Sequence, residues 1–300
     1  MKTNKGLSRR EFENKFRTNE DCASFLSSQK WKNGFYCSKC HHTEYYKGKK
    51  GLNRRCKSCG YEESPTAHTV FHKLKFDLWK AFGMIFEIMS STKGANSIWL
   101  ADTYEVSQNT AWLFRRKIQE YLKSSKTNPL TGEVHVDEFE IGTPQKGEQG
   151  RSNSLKKMRV VIATEIRGKK VGNAYAQVIE DFSAKSLKRI FNDHVATDAL
   201  VKTDGWSGYT PLKNIYKKLT QIESSNGTNF PEIHIQIRNL KNWIRGTHSF
   251  CEKQNLQDYL NEYFYRFNRR NFKQSVINNL FDRFLKMKTL TYKELIKFET

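Results

Sequence analysis

The sequence predicts an α+β multidomain protein: a small cysteine-bound ribbon, a helical region, and then an α/β domain on a mixed sheet flanked by helices. Three observations carry this. Four cysteines stand near the start as Cys37-Ser-Lys-Cys40, fifteen residues, then Cys56-Lys-Ser-Cys59. Apolar residues from Phe76 onward recur at helical spacing. After the turn sequence Asn128-Pro129-Leu130-Thr131-Gly132 the period changes to alternation, as in Val134–Ile141. The segments read from these signals are 1–30 (helical), 31–64 (ribbon), 66–127 (helix-turn-helix), 132–285 (α/β) and 286–300 (tail).

Phe12, Phe16, Cys22, Phe25 and Leu26 give helical spacing over residues 8–30. In the ribbon, short strands are expected around Phe35-Tyr36 and Tyr45-Tyr46. Each C-x2-C pair lets a tight turn aim two thiolates at one ion, and two such turns close a tetrahedral site with no open position. The expectation is a structural Zn2+ on Cys37, Cys40, Cys56 and Cys59. Two disulfides are the competing reading, disfavoured because no signal peptide precedes the motif. Between Lys30 and Cys59 there are nine Lys/Arg and one acid, Glu44, so this module is expected to touch nucleic acid. Cys22 and Cys251 lie outside the pattern and are read as apolar fillers.

Residues 66–125 read as helical. Phe76, Leu78, Trp79, Phe82, Ile85, Phe86 and Met89 form a stripe assigned to core. A helix over Gly94–Tyr104, a turn at Glu105-Val106-Ser107 and a helix from Gln108 follow, with Ser107 as N-cap. Ala101, Val106, Ala111 and Trp112 are expected to pack the two helices together. That leaves Gln108, Asn109 and the cluster Arg115-Arg116-Lys117 to meet DNA. An ordinary αα-corner gives the same pattern.

The alternating segments are Val134–Ile141, Met158–Ile166 and Val171–Glu180, with Arg167-Gly168-Lys169-Lys170 as a hairpin turn between the last two. The Gly-rich basic segment 142–157 is expected to be a mobile loop. A helix over Ser183–Val195 and a strand over Ala199–Thr203 follow, ending at Asp204-Gly205. Three strands, helix, strand, helix is the skeleton of an RNase H-like fold. In that fold the first and fourth strands are neighbours, so Asp137 and Asp204 are expected to share divalent metal. An Asp inside an apolar strand is costly to bury unpaired and asks for a reason. Hard oxygen ligands suit Mg2+ or Mn2+, and a pair of such ions suits phosphodiester chemistry. Alternation turns Glu138 and Glu140 to the opposite face from Asp137.

With those residues in view, the chain resembles a DDE-type insertion-sequence transposase. The family in question has an N-terminal zinc ribbon, a helix-turn-helix and an RNase H-like catalytic domain. The matching stretches are Cys37–Cys59, Val136-Asp137-Glu138, Thr203-Asp204-Gly205-Trp206, Asn239-Leu240-Lys241 with Gly246-Thr247-His248, and Tyr259–Arg270. The resemblance spans roughly residues 15–272. It implies binding to double-stranded DNA at terminal inverted repeats, cleavage at the 3′ strand end and strand transfer into target DNA, by a homodimer or higher oligomer. Thirty-five residues after Asp204, where the third acid is expected, stands Asn239. Part of the family resembles this arrangement, with Asn in that place and a Lys close by, here Lys241. His234 is a second candidate, seven residues before Lys241. Glu262 is read as structural.

Composition sets bounds on this reading. The 300 residues hold 52 Lys+Arg against 31 Asp+Glu, a net charge of +21, with 20 Phe and 13 Tyr. That is a globular chain with real cores that seeks a polyanion. No apolar stretch approaches the roughly 20 residues that span a bilayer, and a cytoplasmic, nucleoid-associated protein is expected. The competing function is a zinc-ribbon and helix-turn-helix DNA-binding regulator whose α/β domain is degenerate and inactive. The missing third acid favours it. A nuclease without strand transfer is a third reading.

Overall fold

The computed structural model describes residues 7–142, 157–223, 225, 228–248, 251–271, 276–287, 289–290 and 294–295. The loop expected at 142–157 lies outside these residues apart from its two ends. The chain forms two compact units, Met1–Tyr121 with Asn271–Thr300, and Leu122–Arg270.

In the first unit, capping boxes start α1 (Arg9–Lys15) at Ser8 and Glu11, and α2 (Asn19–Lys30) at Thr18 and Asp21. In each, a side-chain oxygen takes an N–H that the helix leaves orphaned. The ribbon sheet is β1 (Tyr45–Lys47), β2 (Arg54–Cys56) and β3 (Glu62–Glu63), all antiparallel. Phe35-Tyr36 is not a strand, against expectation. Phe35 instead packs into a small core with Trp31, Cys37 and Cys56, at the entry to the first cysteine turn.

Three helices follow: α3 (Leu78–Ser90), α4 (Ser97–Tyr104) and α5 (Gln108–Leu122). Residues 66–77, expected as helix, form turns in which His68 and Lys73 adopt positive φ. Ala81 to Met89 of α3 are buried without a break. Trp79, assigned to core from the sequence, is 37% exposed. It opens α3 beside its N-cap Asp77, outside that buried run. Glu105, at φ 48°, ends α4, and Ser107 accepts the Thr110 amide at 3.2 Å to start α5, as expected. Ala101 and Ala111 are buried; Val106 and Trp112 are half-buried.

The core of this unit is aromatic. Phe82 contacts Phe16, Phe71 and Phe281 at centroid distances of 5.0, 5.2 and 4.7 Å. Phe281 and Phe284 belong to a helix at Val276–Lys286. The chain therefore returns here, and the α/β segment expected to run to 285 ends near Arg270.

The second unit holds β4 (Glu133–Ile141), β5 (Met158–Arg167), β6 (Lys170–Ile179), α6 (Ala184–His194), β7 (Leu200–Thr203), a 3-10 helix (Ser207–Asn214), β8 (Leu219–Gln221), α7 (Pro231–Thr247) and α8 (Lys253–Asn268). The sheet order is β6-β5-β4-β7-β8. β4, β5 and β6 are antiparallel; β7 and β8 run parallel to β4. The mixed sheet with β4 beside β7 is the arrangement expected.

Alternation on β4 divides two cores. Val134 and Val136 pack with Leu187, Ile190, Phe191 and Tyr209. Phe139 packs with Ile237, Leu240, Leu260 and Phe264 on the α7 and α8 side. Edge strand β6 is sealed by side-chain amides of α8. Asn268 donates to Ala174 O at 2.9 Å and accepts from Ala174 N at 2.8 Å. Gln257 accepts from Val178 N at 2.9 Å and donates to Ala176 O at 3.2 Å. An open edge would otherwise template pairing with another chain. Among the described residues no helix is long and apolar enough to cross a membrane.

Candidate functional site

Each cysteine pair sits in a tight turn of the same shape. Cys37 N donates to His42 O and Cys56 N to Tyr61 O, both at 2.9 Å. The residue after each second cysteine, His41 at φ 65° and Gly60 at φ 68°, lies in the left-handed region. Those turns bring all four Sγ atoms within 4.8 Å of one another, with Cys37–Cys59 at 3.6 Å and Cys40–Cys56 at 3.5 Å. A tetrahedron of Zn–S bonds near 2.3 Å has sulfur edges of about 3.8 Å. The four thiolates therefore fit a closed, structural Zn2+.

Ion pairing fastens this module to α2. Buried Glu63 meets Lys30 Nζ at 2.6 Å and accepts from Ser38 Oγ, inside the first cysteine turn, at 2.9 Å. On the ribbon surface, Tyr36 and Tyr46 are 58% and 60% exposed, and Lys57 lies over the Tyr46 ring at 5.3 Å.

The acidic site lies at the end of the β4–β7 ladder. Val136 pairs with Thr203, so the next residues, Asp137 and Asp204, follow each other off two adjacent parallel strands. Asp137 pairs with Ile162, which puts it on the α7 face; Glu138 pairs with Val161 and faces the opposite core. Backbone amides orient both aspartates: Glu138 N donates to Asp137 Oδ1 at 2.8 Å, and Trp206 N to Asp204 Oδ1 at 3.1 Å.

Helix α7 adds a basic face. His234 Nδ1 lies 3.9 Å from Asp137 Oδ2, too long for a hydrogen bond. Burial, rather than that carboxylate, moves the imidazole below its ordinary pKa. Lys241, two turns on, lies over the Phe139 ring at 5.2 Å. Burial and Arg245 lower its pKa, while Asp137 and Glu140 oppose them. Asn239 is exposed. At 3.6 residues per turn it stands about 140° around the helix from His234. The order of preference drawn from the sequence, Asn239 before His234, is thus reversed by helix geometry: it is His234 that α7 turns toward Asp137.

The helix-turn-helix residues separate into two groups. Gln108 and Asn109 are exposed on the first turn of α5, as expected. Arg115 and Arg116, expected to be turned outward, are 5% and 9% exposed. Arg115 Nε donates to Ala95 O at 3.0 Å, and Arg116 lies over Trp112 at 5.7 Å. Burial lowers the Lys117 ammonium to about 8. The second half of α5 is enclosed within its unit, because Phe114, Ile118, Tyr121 and Leu122 are all core. A contact missed from sequence is the hydrogen bond from Tyr209 Oη to Glu138 Oε2, 2.5 Å long. Its signal was weak: a tyrosine five residues after Asp204 and an acid beside Asp137.

A family model described as an ISXO2-like transposase domain matches residues 129–268, which span β4 through α8. A second, a transposase zinc-ribbon domain, matches residues 17–62, from α2 through the cysteine cluster. The chain belongs to the insertion-sequence transposases. The transposase is also similar to the "Uncharacterized protein in transposable element ISH50" of Halobacterium salinarum, 23% identical over 208 residues, which is 63% of this chain and 68% of that protein. The zinc-ribbon match falls on the four cysteines whose sulfurs converge, and the transposase-domain match contains Asp137, Asp204, His234, Asn239 and Lys241.

Proposed function

We propose that this transposase binds insertion-sequence ends on double-stranded DNA and carries out divalent-metal-dependent 3′-end cleavage and strand transfer, working as a homodimer or higher oligomer. The observation that carries the reading is the parallel register Val136↔Thr203, which sets Asp137 and Asp204 side by side on the α7 face of an RNase H-like sheet. Asp137 and Asp204 would hold Mg2+ or Mn2+, with His234 as the third donor and Asn239 behind it. When bound, that metal supplies Lewis-acid stabilisation of charge on the phosphodiester oxygens.

Two carboxylates and one imidazole form a donor set with one less negative charge than three acids. The nitrogen donor favours Mn2+ over Mg2+. Lys241 would place its ammonium against the DNA phosphate beside the site. Phosphate contacts from exposed lysines and arginines of the ribbon would supply affinity, and Gln108 and Asn109 would read base edges.

The test is nicking and joining of labelled transposon ends with Mn2+ or Mg2+. Asp137→Ala and Asp204→Ala should each abolish both reactions and leave end binding nearly intact. His234→Ala should lose cleavage, whereas Asn239→Ala should retain most of it. Cleavage by either aspartate variant at the wild-type rate would remove this reading. Full activity of His234→Ala with loss in Asn239→Ala would return the third place to Asn239.

A further inference from the structure

The two aspartates stand just beyond the point where strand pairing can hold them. The β4–β7 register runs from Glu133↔Leu200 to Val136↔Thr203. Asp204 already lies past the end of β7. A site that needs two carboxylates at a set separation therefore needs a cross-connection past the last ladder pair.

Tyr209 provides one. It lies on the 3-10 helix that follows Asp204, its ring is fully buried among Val136, Phe191 and Tyr216, and its hydroxyl donates to Glu138. Glu138 is the residue whose own N–H holds Asp137 Oδ1. The segment between Asp204 and Tyr209 is itself tied down. Tyr209 N donates to Trp206 O at 3.2 Å, Gln221 Nε2 donates to the same carbonyl at 2.7 Å, and the Trp206 indole donates to Phe182 O at 2.9 Å. There is no slack at Gly208, where a Cβ would stand 2.5 Å from Trp206 Nε1 and 2.7 Å from Phe182 O.

The result is a closed ring: Asp137, Glu138, the Tyr209 hydroxyl, the 3-10 segment, Asp204, and back across the ladder. Burial and the carboxylates of Glu138, Asp137 and Asp204 all push the Tyr209 phenol upward, so it stays a neutral donor within the field of all three. Glu138 is on the far face of the sheet from Asp137, so it acts through this ring and not as a ligand.

We propose that Tyr209 and Glu138 are positioning residues that set the separation and orientation of Asp137 and Asp204 for divalent metal. This rests on the metal-binding reading of the two aspartates given above. The supporting groups around metal ligands commonly govern affinity, and losing one weakens binding by about 10- to 100-fold.

The experiment is direct titration of Mn2+ into the full-length, zinc-loaded protein by calorimetry, alongside circular dichroism and end binding. Tyr209→Phe removes only the hydroxyl and keeps the buried ring. Glu138→Ala removes the acceptor without touching the aromatic core, and serves if Tyr209→Phe folds poorly. Both should raise the Mn2+ midpoint about tenfold or more while end binding stays as in the wild type. Glu138→Gln still offers the hydroxyl an oxygen and should stay within about threefold of the wild type, a margin set by the modest net worth of one hydrogen bond.

Wild-type Mn2+ midpoints in both Tyr209→Phe and Glu138→Ala would overturn the proposal, even with lowered thermal stability. Glu138→Gln as weak as Glu138→Ala would also overturn it, because charge rather than position would then be at work. Asp137→Ala separates the two levels. If it binds Mn2+ like the wild type, the metal-site reading itself fails; if it loses Mn2+ and Tyr209→Phe does not, only the positioning role fails.

Discussion

Replacing Lys30 by Met should loosen the zinc ribbon from the helix that carries it. Lys30 is 13% exposed and Glu63 3% exposed at the side chain. The ammonium donates to Glu63 Oε1 at 2.6 Å, to Ala67 O at 2.6 Å and to Ser64 O at 3.1 Å. Burial nevertheless lowers the Lys30 pKa, outweighing the attraction of Glu63. The pair is therefore held at a desolvation cost, and breaking one side is worse than never having built it. Methionine keeps the apolar stem but leaves Glu63 charged and buried, with Ser38 Oγ still donating to it.

The expected loss is about 3–5 kcal/mol. With a urea slope near 1.5 kcal/mol/M, the lower figure moves the midpoint by about 2 M. The assay is urea unfolding of the zinc-loaded full chain at one buffered free-zinc concentration. Zinc release to a chromogenic chelator reports on the ribbon, since bound metal stabilises only the folded module. Adding Glu63→Gln to Lys30→Met should recover at least half of the loss by removing the stranded charge. A Lys30→Met ribbon that releases zinc within about 0.5 kcal/mol of the wild type, the range of an ordinary surface change, would refute the reasoning.

Removing zinc, or changing Cys40 to Ser, should unfold the 31–64 segment while the sheet of the second unit keeps its far-ultraviolet signature, because the ribbon core is only Trp31, Phe35, Cys37 and Cys56. Hydrogen exchange measured segment by segment checks this. Asn268→Ala deletes two hydrogen bonds to Ala174, and should lower stability by about 2 kcal/mol and increase self-association at the β6 edge, read by thermal melts and light scattering. His194 is buried against Tyr175, and burial pushes its imidazole down to about 4. Because the folded pKa lies below the unfolded value near 6.5, the unfolded chain takes up the proton first. Its contribution is complete above pH 6.5 and is lost as pH falls toward about 4, by about 3 kcal/mol in all. His194→Phe should flatten that part of the pH–stability curve relative to the wild type, measured as the difference between the two proteins' melts.

The features that the sequence determined by itself are those made by neighbours along the chain. Two C-x2-C turns gather four thiolates whatever lies around them. Ser107 caps α5 because its hydroxyl reaches an amide three residues on. Alternation in Val134–Ile141 writes a strand with two faces, and with it the orientation of Asp137. The order of strands and helix then made β4 and β7 neighbours, so the aspartate pair could be named from sequence.

What only the tertiary structure decided depends on contacts between distant residues. Asp137 and His234 are 97 positions apart, and a heptad-like spacing to Lys241 could not compete with an Asn until α7 was laid on the sheet at a definite rotation. Arg115 and Arg116 read as surface charge because nothing local shows that the second half of α5 would be enclosed. The helix at Val276–Lys286 crosses back to the N-terminal aromatic core because Phe281 and Phe284 find partners there more than 200 residues upstream. Tyr209 and Glu138 meet over 71 positions, across two strands and a helix. Local pattern specifies which elements form and which face is apolar; the rotation and offset of one element on another come from side-chain packing between elements, and that is where the third ligand and its supports were chosen.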